Sequence, residues 1–280
     1  MRPSEVFADG LLADRAVLVT GGGTGLGRAA VEELLRCGAE VMICGRREEV
    51  LAGTADELGC AWVPGDVRED ADAVRIVEAA LSRFGRLDVL VNNAGGQYFT
   101  PAEAIEPKGW RAVTRLNVGG TERMTRTAAE RAFLPAGRGG TVVNVTLSPH
   151  HGLAGMTHSS AARAAVEGYT RALADEWAPD GIAVIAVAAG HFDTASLRKY
   201  PDAVWQAAAR TVPLQRLGRE EEHAWLIALC CSALGVALSG SVVTLDGARD
   251  NWFGPWPPAA LTGGDGEVPA EERGPKPPGS

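Results

Sequence analysis

The chain has 280 residues, 46% of them hydrophobic and 22% charged, with a mean hydropathy near zero, a length and composition suited to a globular domain with one substantial core. Its 27 Lys and Arg against 35 Asp and Glu leave a net charge of −8, which argues against a nucleic-acid partner, because displacing phosphate counterions takes a basic surface. No run of about 18 apolar residues reads as a membrane span, and Glu5, Asp9 and Asp14 near the start are unlike a signal peptide.

In chain order, short β-branched runs at 16–20, 40–44, 61–63, 87–91, 141–145, 182–187 and 242–245 predict buried strands. Helix-period apolar positions predict helices over 26–37, 48–58, 71–84, 109–133, 160–177 and 220–234. Strands apolar on both faces, alternating with helices, belong to βαβ units on a parallel sheet. The expected fold is a single Rossmann-type, doubly wound α/β domain of about seven parallel strands with helices on both faces. Residues 1–13 form an N-terminal extension, 14–253 the dinucleotide-binding and catalytic domain, and 254–280 a tail. In that tail 13 of 27 residues are Gly or Pro, so its distal part is expected to be disordered. The five cysteines (Cys37, Cys44, Cys60, Cys230, Cys231) are an odd number without a C-x-x-C pair, as expected of reduced thiols in a cytoplasmic protein. No ligand set for a metal emerges from the spacing of Cys, His and acids.

Glycine is in excess, with 35 in the chain where about 7% is average, and its first cluster carries chemistry. The first strand runs directly into Thr20-Gly21-Gly22-Gly23-Thr24-Gly25-Leu26-Gly27. In a strand–loop–helix context such a turn lets backbone N–H groups and a helix N-terminus approach a pyrophosphate. Gly21, Gly23, Thr24, Gly25, Leu26 and Gly27 are therefore expected cofactor contacts. No Gly-Lys-Ser/Thr follows, so a P-loop is unsupported. The second strand ends in Cys44-Gly45-Arg46-Arg47, with no acid for a ribose 2′-hydroxyl. Two guanidinium groups there suit a 2′-phosphate instead, and Arg46 and Arg47 point to NADP(H).

Joined by Asn92-Asn93-Ala94-Gly95 at the fourth strand end, Gly65-Asp66-Val67 after the third, Leu116-Asn117-Val118-Gly119, and Asp246-Gly247 after the last, the glycine turn resembles the short-chain dehydrogenase/reductase family over about residues 12–250. The resemblance implies that Asp66, with Val67 beside it, meets the adenine, and that Asn93, Ala94 and Gly95 brace the cofactor. It also implies that Asn117 holds a proton-relay water and that Thr194, in the run from Gly190, orients the nicotinamide carboxamide. Ala189 replaces the family's proline before Gly190.

The catalytic motif departs from that family. Where its Tyr-x-x-x-Lys is expected, this chain has Ser159 and Arg163. A serine hydroxyl is a far weaker acid than a phenol, and arginine does not release its proton. The strand-five serine is displaced as well, leaving Thr146 or Ser148. These departures resemble the branch of trans-2-enoyl-CoA and 2,4-dienoyl-CoA reductases, through Asn92–Gln97, Thr100-Pro101-Ala102-Glu103, Lys108-Gly109-Trp110 and His158-Ser159-Ser160-Ala161-Ala162-Arg163. Hydride addition to an activated C=C builds an enolate at the thioester oxygen, so that site needs oxyanion stabilisation more than a strong acid. On this reading the catalytic residues are Asn117, Ser148, Ser159 and Arg163, with Arg163 also holding the cofactor.

The function expected is NADP(H)-dependent hydride transfer to an enoyl thioester. An NADP-dependent carbonyl reductase or alcohol dehydrogenase on an apolar substrate, and a dinucleotide-binding protein without redox turnover, remain as alternatives. His150, His151 and His158 cluster near the loop after the fifth strand and His191 lies by the nicotinamide motif; a histidine is able to supply the Cα proton near neutral pH, but the four read rather as polar loop residues and are assigned no catalytic role. Tyr98 reads equally as pocket wall or packing. Residues 195–211, with Tyr200 and Trp205, fall where the family carries its substrate lid. The resemblance also implies a homodimer or homotetramer paired through helices 109–133 and 160–177.

Overall fold

The computed structural model describes residues 2–195, 197–199 and 208–251. The expected tail, and Tyr200 and Trp205 of the expected lid, lie outside them. Seven strands form one sheet: β1 (Ala16–Thr20), β2 (Glu40–Gly45), β3 (Ala61–Pro64), β4 (Val89–Asn92), β5 (Gly140–Leu147), β6 (Ile182–Ala189) and β7 (Val242–Leu245). All pair in parallel, in the order β3-β2-β1-β4-β5-β6-β7. The direction of winding reverses between β1 and β4, where open α/β sheets leave a crevice at their C-terminal edge.

Strands this apolar on both faces require a helical layer on each side. On one face α1 (Gly25–Arg36), α2 (Glu48–Leu58) and α8 (Glu220–Cys231) bury Leu34, Leu51 and Ile227 against Ile43, Val91 and Ile185. On the other, α3 (Asp70–Phe84), α5 (Gly120–Ala128) and α7 (Thr157–Glu176) bury Ile76, Met124 and Leu173 against Leu18, Leu90 and Val184.

The expected helix over 109–133 is a composite. It begins as α4 (Pro107–Thr114), widens into a π-helical turn at Arg115–Gly119, continues as α5, widens again at Ala129–Phe133 and closes with α6 (Leu134–Ala136). The first π turn contains Asn117, and insertions of this kind are common at functional sites. Helix α8 stops at Cys231 instead of 234, because Ser232 donates to the Leu229 carbonyl and accepts the Leu234 N–H, starting a 3₁₀ segment. Two boundary differences move the site. Strand β5 runs on to Leu147, and α7 begins at Thr157, so His158 and Ser159 occupy its first turn.

Candidate active site

A cleft of about 830 Å³ opens over the C-terminal ends of β1, β4, β5 and β6. Its floor is built where β1 and β4 part. Thr20 Oγ1 accepts from the backbone N–H of Asn93 and of Ala94, and Asn93 Nδ2 donates to Thr20 O and Gly21 O. The glycine turn packs on this clamp. A Cβ at position 27 would stand 2.3 Å from Asn93 Nδ2 and 2.4 Å from Gly21 O, so Gly27 lets α1 close onto the turn. Gly25 has φ +53°, in the left-handed region that favours glycine. Gly21, Gly23, Thr24, Gly25, Leu26 and Gly27 all line the cleft, with the N-terminus of α1 beneath them, an arrangement that receives a pyrophosphate.

At one end Arg46 and Arg47 are exposed on the wall, and neither has an ion pair among the described residues. Asp66 and Val67 line the same end, with Asp66 within the field of the Arg46 charge. The Asp66 carboxylate is already held by Arg68, whose Nε lies 2.9 and 3.0 Å from its two oxygens. Those hydrogen bonds, with a smaller contribution from the Arg46 charge, keep its pKa below the ordinary carboxylate value.

At the other end a buried amide ladder sets the spacing of the strands. Asn92 donates to Thr125 and to Asn144, and Asn144 donates to Thr170 of α7. Above it Asn117 Nδ2 donates to Gly96 O and Val113 O, while its Oδ1 accepts from Gly96 N. Asn117 thus grips the loop that carries Gly95 and does not itself line the cleft. Gly95 has a steric reason to be glycine, since a Cβ there would lie 2.5 Å from Arg163 Nη2.

Arg163 reaches from α7 under that loop, and its Nη1 donates to Val145 O at 2.9 Å. Its Nε has no partner, and no carboxylate pairs with it among the described residues. Burial pushes the guanidinium pKa down to about 10. Ser159, fully buried one turn earlier, donates to Gln97 Oε1 at 3.0 Å, and Gln97 lines the cleft.

Ser148 is not brought to the cleft, because with β5 extended to Leu147 its buried hydroxyl donates to Asp246. Thr146 and Leu147 line the wall instead. Gly190 and Thr194 line the nicotinamide side expected from sequence, with His191 between them in the wall. Burial, and secondarily the Arg249 charge, lower the His191 pKa. Tyr98 is 38% exposed and rests on the His158 ring at 4.5 Å, so its neighbour Phe99 lines the cleft in its place. Gln97, Phe99, His191 and Arg249 were not singled out as site residues. Gln97 lies within the run that suggested the reductase branch, whereas nothing local marks Arg249.

A turn of this form at the β1/β4 switch point, with Asn93 locked beneath it, is matched by the family model for short chain dehydrogenases over residues 15–205. The chain belongs to the short chain dehydrogenase family. This family binds nicotinamide dinucleotides, and the glycine turn, the exposed arginine pair and the unpaired Arg163 are donors suited to such a polyanion. A probable 2,4-dienoyl-CoA reductase of Bacillus subtilis is 37% identical over 254 residues, covering 87% of this chain and 98% of that protein. A peroxisomal 2,4-dienoyl-CoA reductase of Danio rerio is 31% identical, covering 87% and 84%. Among solved structures, a citronellol catabolism dehydrogenase of Pseudomonas aeruginosa is 34% identical with a TM-score of 0.78, covering 88% of this chain and 98% of that one. As a short chain dehydrogenase the chain is an oxidoreductase, with relatives named for acyl-CoA substrates. Among the described residues no helix is long and apolar enough to cross a membrane.

Proposed function

We propose that this short chain dehydrogenase is an NADP(H)-dependent reductase of α,β-unsaturated acyl thioesters. The observation that carries the reading is the reactive end of the cleft, where a partly buried guanidinium and an amide both line the wall and no tyrosine is present among the described lining residues. When bound, the reduced nicotinamide supplies the hydride. Arg163 places a positive charge where negative charge develops on the thioester oxygen, and preorganised donors of this kind contribute about 10²–10³-fold each. Ser159 holds Gln97 by its Oε1, leaving the Nε2 hydrogens for the substrate oxygen. Arg46 and Arg47 would take the 2′-phosphate that distinguishes NADP(H), with Gly190 and Thr194 beside the nicotinamide. The names of the Bacillus subtilis and Danio rerio relatives support the substrate class.

A second reading, oxidation of an apolar alcohol, is favoured by the name of the Pseudomonas aeruginosa dehydrogenase. Following reduced-cofactor absorbance with crotonyl-CoA, a 2,4-dienoyl-CoA and a ketone, and cofactor reduction with an alcohol, separates the two. Consumption with the thioesters is expected; activity confined to the ketone and alcohol would overturn the primary reading. Exposed Ala161, Ala164, Ala165 and Gly168 leave the outer face of α7 smooth, which supports pairing as a homodimer or homotetramer; a monomer by light scattering would refute it.

A further inference from the structure

Every hydride delivered to a C=C or C=O bond must be followed by a proton. Neither member of the pair that replaces the usual catalytic motif supplies one readily. Arg163 keeps its proton, and the Ser159 hydrogen is engaged by Gln97. A different line of exchangeable groups leads out of the cleft.

Thr146 stands in the cleft wall, and its Oγ1 lies 3.0 Å from Oε1 of Glu167 on α7. The Glu167 side chain is only 7% exposed. The same Oε1 lies 3.1 Å from His150 Nε2, and His150 Nδ1 lies 2.5 Å from Asp250 Oδ2. His150 is 28% exposed and reaches solvent. We infer that Thr146, Glu167 and His150 form a proton path between the cleft and solvent, with Asp250 orienting the imidazole. The inference rests on the reading that the cleft carries out hydride transfer.

Two features favour a path over a mere anchor. Thr146 and His150 meet the same carboxylate oxygen, so a proton arriving from His150 is already within hydrogen-bond reach of Thr146, and only the threonine hydroxyl, which donates to that oxygen at rest, has to rotate. In addition, no Lys or Arg is ion-paired with Glu167 among the described residues. Burial, opposed by His150, Thr146 and the Arg171 charge, raises the carboxyl pKa, which lets the group take up and return a proton. The charged and titratable groups facing this line are Arg171 on α7, His150 and His151 in the loop after β5, and Asp250 after β7. Asp246 joins through Asp250 N, which donates to it.

In the reducing direction the His150 Nε2–H bond breaks and the proton forms a bond to Glu167 Oε1. The threonine hydroxyl, which donates to that oxygen at rest, rotates toward the cleft; the Glu167 Oε1–H then passes its proton to Thr146 Oγ1 as the threonine O–H gives its own to the substrate, and a solvent hydronium reprotonates the imidazole. One proton enters from solvent, one reaches the substrate, and no electrons move along the path. Glu167 is a positioning and relay residue, since among the described residues it does not line the cleft and acts through Thr146.

The test uses the full chain with NADPH and crotonyl-CoA. Glu167→Gln keeps the size and an acceptor for Thr146 but cannot carry a proton, and Thr146→Val removes the hydroxyl at constant volume. Both are expected to lower kcat by about 10²-fold, to flatten its pH profile, and to leave the NADPH Kd measured by fluorescence unchanged. Thr146→Ser should restore the rate. A wild-type kcat and pH profile in Glu167→Gln or Thr146→Val would overturn the path, as would a Thr146→Ser variant as slow as Thr146→Val. A wild-type enzyme that turns over a ketone or alcohol but no thioester overturns the substrate reading alone, and the same variants then test the path with that substrate. Absence of turnover with any of them overturns both.

Discussion

Removing the Arg163 charge should separate stability from activity. Burial holds its guanidinium at about 10 instead of the ordinary 12.5, which corresponds to about 3 kcal/mol against the charged form in the folded chain. A base with a depressed folded pKa destabilises the fold at every pH where it is charged, so the whole of that cost is present at neutral pH. Arg163→Met removes it. The change also removes the hydrogen bond to Val145 O, a loss of about 1.5–3 kcal/mol for a bond from a charged donor. The two nearly cancel. The apo variant should therefore unfold at the wild-type urea midpoint or up to about 1.5 kcal/mol above it, while kcat falls by about 10²–10³-fold. Cofactor-induced stabilisation should shrink too, because the anionic ligand no longer meets the cation.

The assay is a pair of urea titrations, with and without cofactor, beside steady-state kinetics. An ordinary structural arginine would behave in the opposite way, with the apo variant destabilised by more than about 2 kcal/mol and turnover kept in the fraction that stays folded. That result would refute the assignment of an unpaired functional charge.

Arg46→Ala combined with Arg47→Ala should weaken NADPH binding by about 10–10²-fold and leave NADH binding unchanged, as read by fluorescence titration; equal losses for both would remove the 2′-phosphate assignment. Gly27→Ala places a Cβ 2.3 Å from Asn93 Nδ2 and 2.4 Å from a backbone oxygen, so it should destabilise the apo protein by about 1–3 kcal/mol in denaturant; an unchanged midpoint would mean that α1 is not held against the turn as described. Among the described residues buried His223 has no hydrogen-bond partner at either ring nitrogen, and desolvation takes its pKa to about 4. Being neutral when folded and protonated when unfolded below about 6.5, it should cause stability to fall by about 3 kcal/mol as pH drops from 6.5 to 4. His223→Leu should remove that part of the acid limb, and identical acid titrations of variant and wild type would contradict it.

The fold was readable from sequence because both of its signals are local. Strands buried on two faces are continuous apolar runs, and β1 and β7 begin and end where the pattern placed them. The cofactor end was readable for a related reason, since Gly21–Gly27 form one turn and their constraints come from neighbours in the same βα unit or its clamp. The reactive end is assembled differently. Gln97 and Ser159 are 62 residues apart and meet because α7 starts one turn earlier than its apolar period suggests. Ser148 was expected in the site and is turned onto Asp246, 98 residues on, by two further residues of β5. A strand extended by two residues keeps its facing pattern but advances the point where the chain leaves the sheet, and that point decides which hydroxyl faces the cleft. Glu167 shows the same limit from the other side. Along α7 it reads as one more helix acid, and only the packing of α7 against Thr146 and the loop at His150 makes it a buried carboxyl within reach of both. Residue identity therefore narrows the chemistry available at this end of the cleft, while element boundaries of one or two residues decide which groups carry it.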